Sequence, residues 1–426
     1  MRSEPEETKR YILLASFLLI VILIGLFTDG IKETFTSFMT IQTISGRLIQ
    51  DFTTISIGGA LLNAAIVAII GMALVFFSSV TLAGPTIAAI FTMFGFGLFG
   101  KTALNISFII LGVFIASKIA NKSFGAYSLI ALFGTALGPV VTYVMFDLHL
   151  PLLVSIPSAI LSGIVIGVIL PSIAGVMLSL HQGYNLYNIG FSCGFMGLFI
   201  SSFFHASRQM SPITITWNSE VHWQLHIIIP LISIMSILFG FITSKQSIIK
   251  SIKEVKGLQS LVGRLPTDFF DLVESETPFI NMGVLGLLSY GYVNVVGGNI
   301  NGPMIAGIAT VMGFGSFGKS VKNSYPLVVG VILATLLFGK SLNAPGPMLA
   351  ALFSTTLAPI AGQFGPIIGI IAGMIHLIVV ESSAAWHGGF DLYNNGFAGG
   401  LSATLVISII HWYQSNKKDE DFNNET

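Results

Sequence analysis

The chain has 426 residues, of which 53% are hydrophobic and 9% are charged, and its 19 basic residues balance its 19 acidic residues. Soluble domains are about 25% charged, so this composition excludes a soluble domain and predicts a protein held in a lipid bilayer by several helices. Because the net charge is zero, the chain lacks the excess of positive charge that is typical of nucleic-acid-binding proteins. Cys193 is the single cysteine, which excludes a disulfide within the chain, and no sequence motif for a metal or a cofactor is present.

The first predicted element is a membrane helix near the N-terminus. Lys9 and Arg10 precede the apolar run 11–28, and no small-residue cleavage site follows it, so we expect it to be retained rather than removed as a secretory signal. Further runs that can cross a hydrocarbon layer about 30 Å thick lie near 60–80, 103–120, 124–147, 151–175, 185–204, 223–245, 280–298, 324–342, 363–383 and 394–414. The pattern predicts a multi-pass protein of the cell membrane.

The chain repeats itself. Segment 84–101 returns as 302–319, 218 positions later, and 12 of the 18 residues are identical. Three other segments recur in the same order at nearly the same distance: 46–52 as 263–269, 131–139 as 351–359, and 181–191 as 387–397. Four collinear matches predict a duplicated protein, and many membrane transporters are built from two such halves with a solute site where they meet.

The repeats divide the chain into segments. We predict an N-terminal tail 1–10, a first membrane repeat 11–204, a connecting loop 205–223, a second membrane repeat 224–414 with a polar linker 246–279, and a polar C-terminal tail 415–426. The expected fold is an all-α polytopic membrane protein of two homologous halves with short re-entrant or broken helices. Inverted repeats are favoured because they are common among two-half transporters. Parallel repeats are the alternative, since lysines and arginines are spread too evenly over the loops to indicate the orientation of the halves. The sequence is also compatible with a homo-oligomer.

The Gly-Pro segments are the first candidate for a solute site. Pro85 and Pro303 suit a first helical turn, and the ten residues from Pro85 to Phe94 make about 15 Å of helix, roughly half a bilayer. Short, Gly/Pro-interrupted segments at matching places in two halves point to a transporter binding site. The candidates are Gly84, Pro85, Gly95, Gly97, Gly302, Pro303, Gly313 and Gly315. The alternative is that these residues serve close helix packing.

Two further motifs add polar candidates. Thr135 and Thr355 lie in a repeated Ala-Leu-Phe-x-Thr segment that is again bounded by proline. Asn188 and Asn394 lie in a repeated Leu-Tyr-Asn-x-Gly-Phe motif, and an asparagine amide offers donors and acceptors to an uncharged solute or a partly dehydrated ion. The alternative for the asparagines is helix capping.

The second half carries three titratable residues that the first half lacks. Leu170, Gly175 and Asn185 of the first half correspond to His376, Glu381 and Asp391. Ionisable groups in apolar surroundings are functional candidates, so these three residues predict a site for a coupling proton or cation. The alternative places the two acids in water at the interface and satisfies His376 with a backbone carbonyl.

Repeated charged residues complete the motifs. Lys101 and Lys319 end the Gly-rich segments and are expected to extend to the lipid headgroups; attraction of an anion is the alternative. Arg47 and Asp51, like their second copies Arg264 and Asp268, are spaced i, i+4 and predict a helical ion pair.

The motifs Gly-Arg-Leu-x-x-Asp-Phe, Gly-Phe-Gly-x-Phe-Gly-Lys and Leu-Tyr-Asn-x-Gly-Phe resemble those of an uncharacterised bacterial family of duplicated polytopic membrane proteins, a domain of unknown function. That resemblance implies no activity. The duplicated halves with half-helices are also distantly similar in topology to the urea transporters, which implies a path for small amides.

The favoured function is a carrier or channel for a small polar solute or ion, with a site between the halves. A membrane enzyme that uses His376, Glu381, His387 and Asp391 is an alternative, because hydrolases and transferases need paired acids or a nucleophile. A sensor or assembly subunit without transport is a third possibility. No cofactor is expected.

Overall fold

Helices make up nearly all of the structure. The computed structural model describes residues 4–273 and 275–425. The first half contains α1 (Glu4–Asp29), α2 (Ile31–Ile41), α3 (Ile57–Phe77), α4 (Gly84–Phe96), α5 (Ala103–Ile119), α6 (Ser128–Gly134), α7 (Gly138–Thr142), α8 (Leu152–His181) and α9 (Asn188–Ala206). Short 3-10 turns lie at Phe52–Thr54, Phe124–Tyr127 and Thr135–Leu137, and a π-helical turn lies at Tyr143–Asp147.

The second half repeats this order. It contains α10 (Trp223–Thr243), α11 (Ile248–Leu258), α12 (Phe269–Leu272), α13 (Thr277–Val295), α14 (Gly302–Phe314), α15 (Val321–Leu337), α16 (Pro345–Ser354), α17 (Ala358–Phe364), α18 (Pro366–Trp386) and α19 (Asn394–Glu425), with a 3-10 turn at Thr355–Leu357. The predicted tails are helical where they are described, since α1 begins at Glu4 and α19 continues to Glu425. Residues 1–3 and 426 of those tails lie outside the described residues.

Eight segments of the described chain are long and apolar enough to cross a membrane. They are Glu6–Asp29, Ile57–Phe77, Phe124–Asp147, Leu152–His181, Asn188–Ala206, Trp223–Thr243, Pro366–Trp386 and Asn394–Asn416. This finding confirms an all-α, multi-pass membrane protein. The predicted runs 103–120 and 324–342 are shorter in the structure, where α5 and α15 each have 17 residues.

The twin helices α4 and α14 are too short to span. Each has 13 residues, which is about 20 Å of helix against about 30 Å of hydrocarbon. Each begins with Pro at its first turn and ends at a glycine, Gly97 or Gly315. The next helices start afresh, because Thr102 caps α5 and Ser320 caps α15 by accepting a hydrogen bond from the third backbone amide of the helix.

The two halves are inverted relative to each other. Lys245 follows the end of α10, and its Nζ lies 3.5 Å from Oε1 of Glu6 near the start of α1. At the other end, Asp29 terminates α1 and shares a surface cleft with His222, which directly precedes α10. Because α1 and α10 are equivalent helices that run in opposite directions, the axis that relates the halves lies across the helices. The prediction of inverted repeats is confirmed.

The short helices cross in the protein interior. A Cβ atom placed on Gly95 would lie 2.5 Å from Cα of Ala306, and one placed on Gly313 would lie 2.9 Å from Cα of Ala88. Ala88 and Ala306 are equivalent residues, as are Gly95 and Gly313, so the contact is reciprocal and the helices run antiparallel. Glycine allows this contact between backbones, as it does at close crossings of membrane helices.

A second reciprocal contact joins α9 and α19. A Cβ atom on Gly190 would lie 3.2 Å from Cα of Gly396, its own equivalent in the other half. Gly194 meets the ring of Phe397, and Gly400 meets the ring of Phe191 in the same way. A residue that touches its own equivalent lies on the two-fold axis, so this axis passes between the N-terminal turns of α9 and α19.

A buried ion pair also fixes the halves together. Arg10 of α1 is 1% exposed, and its guanidinium donates to both carboxylate oxygens of Glu276 at 2.9 and 2.7 Å and to the Leu82 carbonyl at 2.6 Å. This bidentate geometry is the favourable one for arginine and a carboxylate. Arg10 therefore belongs to the packed fold, inside the region that was predicted as an N-terminal tail.

Candidate functional site

A cavity of about 730 Å³ lies where the two halves meet. Its inner wall is built from equivalent residues of both halves. The pairs are Thr92 and Thr310, Phe96 and Phe314, Phe133 and Phe353, Leu186 and Leu392, Tyr187 and Tyr393, Ile189 and Asn395, and Gly190 and Gly396. A cavity that contains both copies of seven positions lies on the two-fold axis and is shared by the halves.

The aromatic rings of the wall are exchanged between the halves. Tyr393 of the second half packs edge to face on Phe96 of the first, with ring centroids 4.6 Å apart at 72°. Tyr187 of the first half packs on Phe314 of the second, at 4.6 Å and 68°. Edge-to-face pairs at this distance are favourable. Each tyrosine therefore closes the wall of the opposite half.

Two buried lysines lie behind these tyrosines. Lys101 donates from Nζ to Thr135 Oγ1 at 2.6 Å and to the hydroxyl of Tyr393. Lys319 donates from Nζ to Thr355 Oγ1 at 2.7 Å and to the hydroxyl of Tyr187. We call these the Lys101 cluster (Lys101, Thr135, Tyr393) and the Lys319 cluster (Lys319, Thr355, Tyr187). Both lysines are 0% exposed.

The expectation that the lysines extend to the headgroups is wrong. The loop after each short helix turns back into the protein, and an asparagine braces it. Asn63 of α3 donates from Nδ2 to the carbonyls of Gly97 at 2.6 Å and Lys101 at 2.8 Å. Asn281 of α13 donates in the same way to Gly315 and Lys319, both at 2.8 Å.

Sequence reasoning missed Asn63 and Asn281. Each is an amide within an apolar helix, 218 positions from its copy, and that coincidence was the available signal. The amide oxygens are held in turn by glutamines: Gln42 Nε2 lies 2.9 Å from Asn63 Oδ1, and Gln259 Nε2 lies 3.0 Å from Asn281 Oδ1.

The N-terminus of each short helix is capped by an aspartate of the other half. Asp268 Oδ2 accepts from the Gly84 amide at 3.1 Å, and a Cβ atom on Gly302 would lie 2.6 Å from Asp51 Oδ1. A carboxylate is favourable at a helix N-terminus. Burial raises the pKa of both carboxyls, and it raises the pKa of Asp268 to about 6.

The predicted helical ion pairs between Arg47 and Asp51 and between Arg264 and Asp268 are wrong, because the aspartates cap helices and the arginines bind carbonyls. Arg47 donates to the carbonyls of Gly388 at 3.3 Å, Ser211 at 3.0 Å and Pro212 at 2.7 Å. Arg264 donates to the Gln182 carbonyl at 2.7 Å.

The cavity reaches the surface at one end. Its outer end is lined by exposed residues of the first half and of the loop before α12, which are Gly175, Leu178, Gln182 and Pro266. The equivalent residues on the other side, Glu381, Ala384, Gly388 and Ile49, do not line it. There the connection between the halves covers the structure, since Arg47 binds Ser211 and Pro212, and the Ser211 amide donates to the Tyr143 hydroxyl at 3.0 Å.

Comparison with known families shows where the chain belongs. The profile of the family described as Protein of unknown function (DUF1576) matches residues 31–206 and 246–412. The chain is a member of the DUF1576 family. No curated protein and no solved structure matches the chain. The predicted membership of a family of unknown function is confirmed, and the DUF1576 match includes most of both halves.

In this DUF1576 chain most of the predicted glycines and prolines support the helices around the cavity and do not themselves line it. Pro85 lines the cavity, and Pro303 occupies the equivalent first turn of α14. Gly84 and Gly302 adjoin the capping aspartates, Gly95 and Gly313 form the helix crossing, and Gly97 and Gly315 accept the asparagine amides. Thr135 and Thr355 are held against the buried lysines.

Asn188 and Asn394 brace a turn. Asn188 Oδ1 lies 2.9 Å from His181 Nε2, and Asn188 Nδ2 donates to the Ala174 carbonyl at 3.1 Å. Asn394 repeats both contacts, with His387 at 3.0 Å and the Val380 carbonyl at 3.2 Å. Asn188 contributes to the cavity wall, but its amide is already bonded on both sides.

The three titratable residues of the second half lie in different surroundings. Glu381 pairs with Lys340 at the surface, where both are partly exposed. His376 is buried, with Nε2 3.1 Å from Oδ1 of Asn395, which lines the cavity. Asp391 is 0% exposed; its Oδ1 accepts from the Tyr393 amide at 2.9 Å, and its Oδ2 has no hydrogen-bond partner among the described residues.

Proposed function

We propose that this protein is a cell-membrane carrier that moves a small polar solute or ion through the cavity between its halves. The observation that carries the proposal is the cavity itself: both copies of seven inner-wall positions line it, and it opens at one end. Inverted repeats with broken helices at their interface are the arrangement in which transporters place their solute sites. In this proposal α4 and α14 are re-entrant helices that reach the site from opposite faces of the membrane.

The inverted repeat supplies a route for alternating access. The mouth beside Gln182 and Pro266 is open, and the two-fold axis defines an equivalent position beside Gly388 and Ile49. If the two halves exchange their conformations, the first mouth closes and the second opens while the twin tyrosines remain at the centre. This motion is largely a rocking of one repeat against the other, as in other two-half carriers.

Cysteine labelling tests this proposal with a matched pair of leucines. Leu129 lines the cavity, whereas its equivalent Leu349 is 6% exposed and does not. In a Cys193→Ser background we expect a water-soluble methanethiosulfonate reagent to modify Leu129→Cys from one side of the membrane at least about 10-fold faster than Leu349→Cys. A carrier should also expose Leu349→Cys, slowly, from the other side.

The labelling pattern distinguishes a carrier from a channel and from a protein without an accessible cavity. Failure of Leu129→Cys to react from either side would contradict the cavity and therefore the proposal. A third outcome is that Leu129→Cys reacts but Leu349→Cys never does, in vesicles that show solute flux. The protein would then be a channel rather than a carrier.

Coupling to an ion is proposed at Asp391. Among the described residues, one oxygen of its buried carboxylate has no hydrogen-bond partner, and the next two residues along the chain, Leu392 and Tyr393, line the cavity. Intramembrane carboxylates commonly relay protons or bind cations. Uptake into proteoliposomes with and without a pH or sodium gradient should lose its gradient dependence in Asp391→Asn. Glu381→Gln is the matched control, because Glu381 is paired with Lys340 at the surface, and it should keep that dependence.

The enzyme alternative is less favoured. Glu381 is paired with Lys340 at the partly exposed surface, whereas His376, His387 and Asp391 are buried, and no group of three His, Cys, Asp or Glu side chains among the described residues could hold a metal ion. A path for small amides stays an alternative choice of solute; it rests only on the resemblance in topology that the sequence suggested, and no curated protein or solved structure matches the chain to support it.

A further inference from the structure

The two lysine clusters differ in their compensating charge. Among the described residues, no carboxylate lies within ion-pair distance of Lys319. Its Nζ donates to the oxygens of Thr355 and Tyr187 and lies 4.5 Å and 5.2 Å from the ring centroids of Tyr187 and Phe314. Taking an ammonium out of water without a counter-charge is costly. An ammonium has three donors, and these two oxygens take two of them. In its charged form Lys319 therefore has one N–H without an acceptor and no counter-charge, and a bound anion would supply both.

The Lys101 cluster has an acid nearby, although the two side chains are not within ion-pair distance of each other. Asp391 precedes Tyr393 of this cluster by two residues, and its buried carboxylate attracts a charge on Lys101 at longer range. The equivalent position beside Tyr187 is Asn185, which is neutral; its Oδ1 accepts from the Tyr187 amide at 3.1 Å and its Nδ2 donates to the Gly396 carbonyl at 3.2 Å. One substitution between the repeats thus places an acid near one lysine and a neutral amide at the equivalent position near the other.

From this difference we infer that the transported solute is a compact organic anion, a carboxylate on an apolar body, and that the Lys319 cluster binds its charged end. This inference rests on the proposed function and names its substrate class. Tyr187 lines the cavity and its hydroxyl accepts from Lys319, and a hydrogen bond received from an ammonium polarises a hydroxyl into a stronger donor.

The rest of the wall suits the other end of such a solute. Phe96, Phe133, Phe314 and Phe353 supply apolar rings around the cavity, and ligand sites of this size pair an apolar lining with a few polar groups that fix orientation. The carboxylate would face Tyr187 and the apolar body would face the phenylalanines. Tyr393 would offer weaker binding, because Asp391 repels an anion at that cluster.

The test uses matched probes that differ in charge. Benzoate is compared with benzamide, and isovalerate with isovaleramide, by tryptophan fluorescence or thermal shift of the detergent-solubilised protein and by counterflow in proteoliposomes. We expect at least one carboxylate to bind about 10-fold or more tightly than its amide, as charge-assisted hydrogen bonds imply. Equal or tighter binding of both amides overturns the inference but leaves the carrier intact. Absence of binding and flux for all four probes also overturns the inference, and the labelling of Leu129→Cys decides separately whether the proposed carrier stands.

Equivalent residues of the two halves serve as matched controls, because a purely structural role of the tyrosines would give the same effect in both halves. Tyr187→Phe keeps its ring contact with Phe314 and should weaken carboxylate binding about 10-fold, whereas Tyr393→Phe should weaken it by less than about 3-fold. Lys319→Met, checked for its melting temperature, should abolish the preference for the carboxylate over the amide.

Position 185 carries asparagine and its equivalent, position 391, carries aspartate. Substituting each residue by the other should change carboxylate affinity in opposite directions. Asn185→Asp adds a counter-charge beside Tyr187 and should lower carboxylate affinity, and Asp391→Asn frees Lys101 and should raise it. If both exchanges change affinity in the same direction, or if Tyr393→Phe weakens binding as much as Tyr187→Phe does, the inference is wrong.

Discussion

The crossing of α4 and α14 can be tested by adding one methyl group. A Cβ atom on Gly95 would lie 2.5 Å from Cα of Ala306, whereas one on Gly291, in α13, would meet nothing within 4 Å. Gly95→Ala forces the short helices apart by about 1 Å to restore van der Waals contact, and overpacking of this kind costs about 1–3 kcal/mol. Both substitutions gain up to about 1 kcal/mol of helix propensity, so their difference isolates the clash.

Thermal unfolding in detergent measures this difference. The entropy of unfolding is about 2.1 cal/mol/K per residue, so for a chain of this length we expect Gly95→Ala to melt roughly 1–3 °C below Gly291→Ala. Gly313→Ala should behave like Gly95→Ala, because Gly313 makes the reciprocal contact. The reasoning fails if Gly95→Ala melts at or above the temperature of Gly291→Ala, since the backbones would then not be in contact.

Three further substitutions test the loops around the site. Gly263 has φ of 76°, and a Cβ atom on it would lie 1.9 Å from the Gly318 carbonyl; Gly263→Ala should prevent folding, seen as loss of a monodisperse peak in size-exclusion chromatography. Asn281→Ala leaves two buried carbonyls, one of them that of Lys319, without their donor, and should cost about 2–4 kcal/mol of unfolding free energy in a denaturant titration. The pKa of Asp268 is raised from 3.8 to about 6 in the folded protein, so the wild type should lose up to about 3 kcal/mol of stability as pH rises from about 4 to about 7. Asp268→Asn should lack that loss in pH-dependent melting curves.

The class of the protein and its symmetry were predictable from the sequence. A charged fraction of 9% leaves a membrane as the only solvent that suits so apolar a chain, and four collinear repeats identify the halves without a structure. The length of the short helices was also predictable, because Pro85 and Gly97 are local signals that begin and end a helix wherever the chain lies.

The contacts that build the site were not predictable in the same way. Lys101 reaches Tyr393, which is 292 residues away, and Asp268 caps Gly84 across 184 residues. Such pairs depend on how one half docks on the other, and no local pattern encodes that docking. The predictions that Lys101 extends to the headgroups and that Asp268 pairs with Arg264 were wrong for this reason. Spacing along the chain identifies neighbours in sequence, whereas these side chains have partners in the other half.

In the proposed carrier, the differences between the halves define which of the two equivalent access conformations is favoured. An exact two-fold repeat would give the two access states equal free energy, but the connection between the halves exists once and covers one mouth, where Arg47 donates to Ser211 and Pro212. Hydrogen bonds from a charged group contribute about 1.5–3 kcal/mol each, so two of them suffice to populate the observed state by roughly 10²-fold or more. Asp391 breaks the symmetry a second time, beside the cavity wall. In the proposed carrier, the duplicated fold would provide the two states, and a few unrepeated residues would determine which state is populated and which lysine binds the proposed anion.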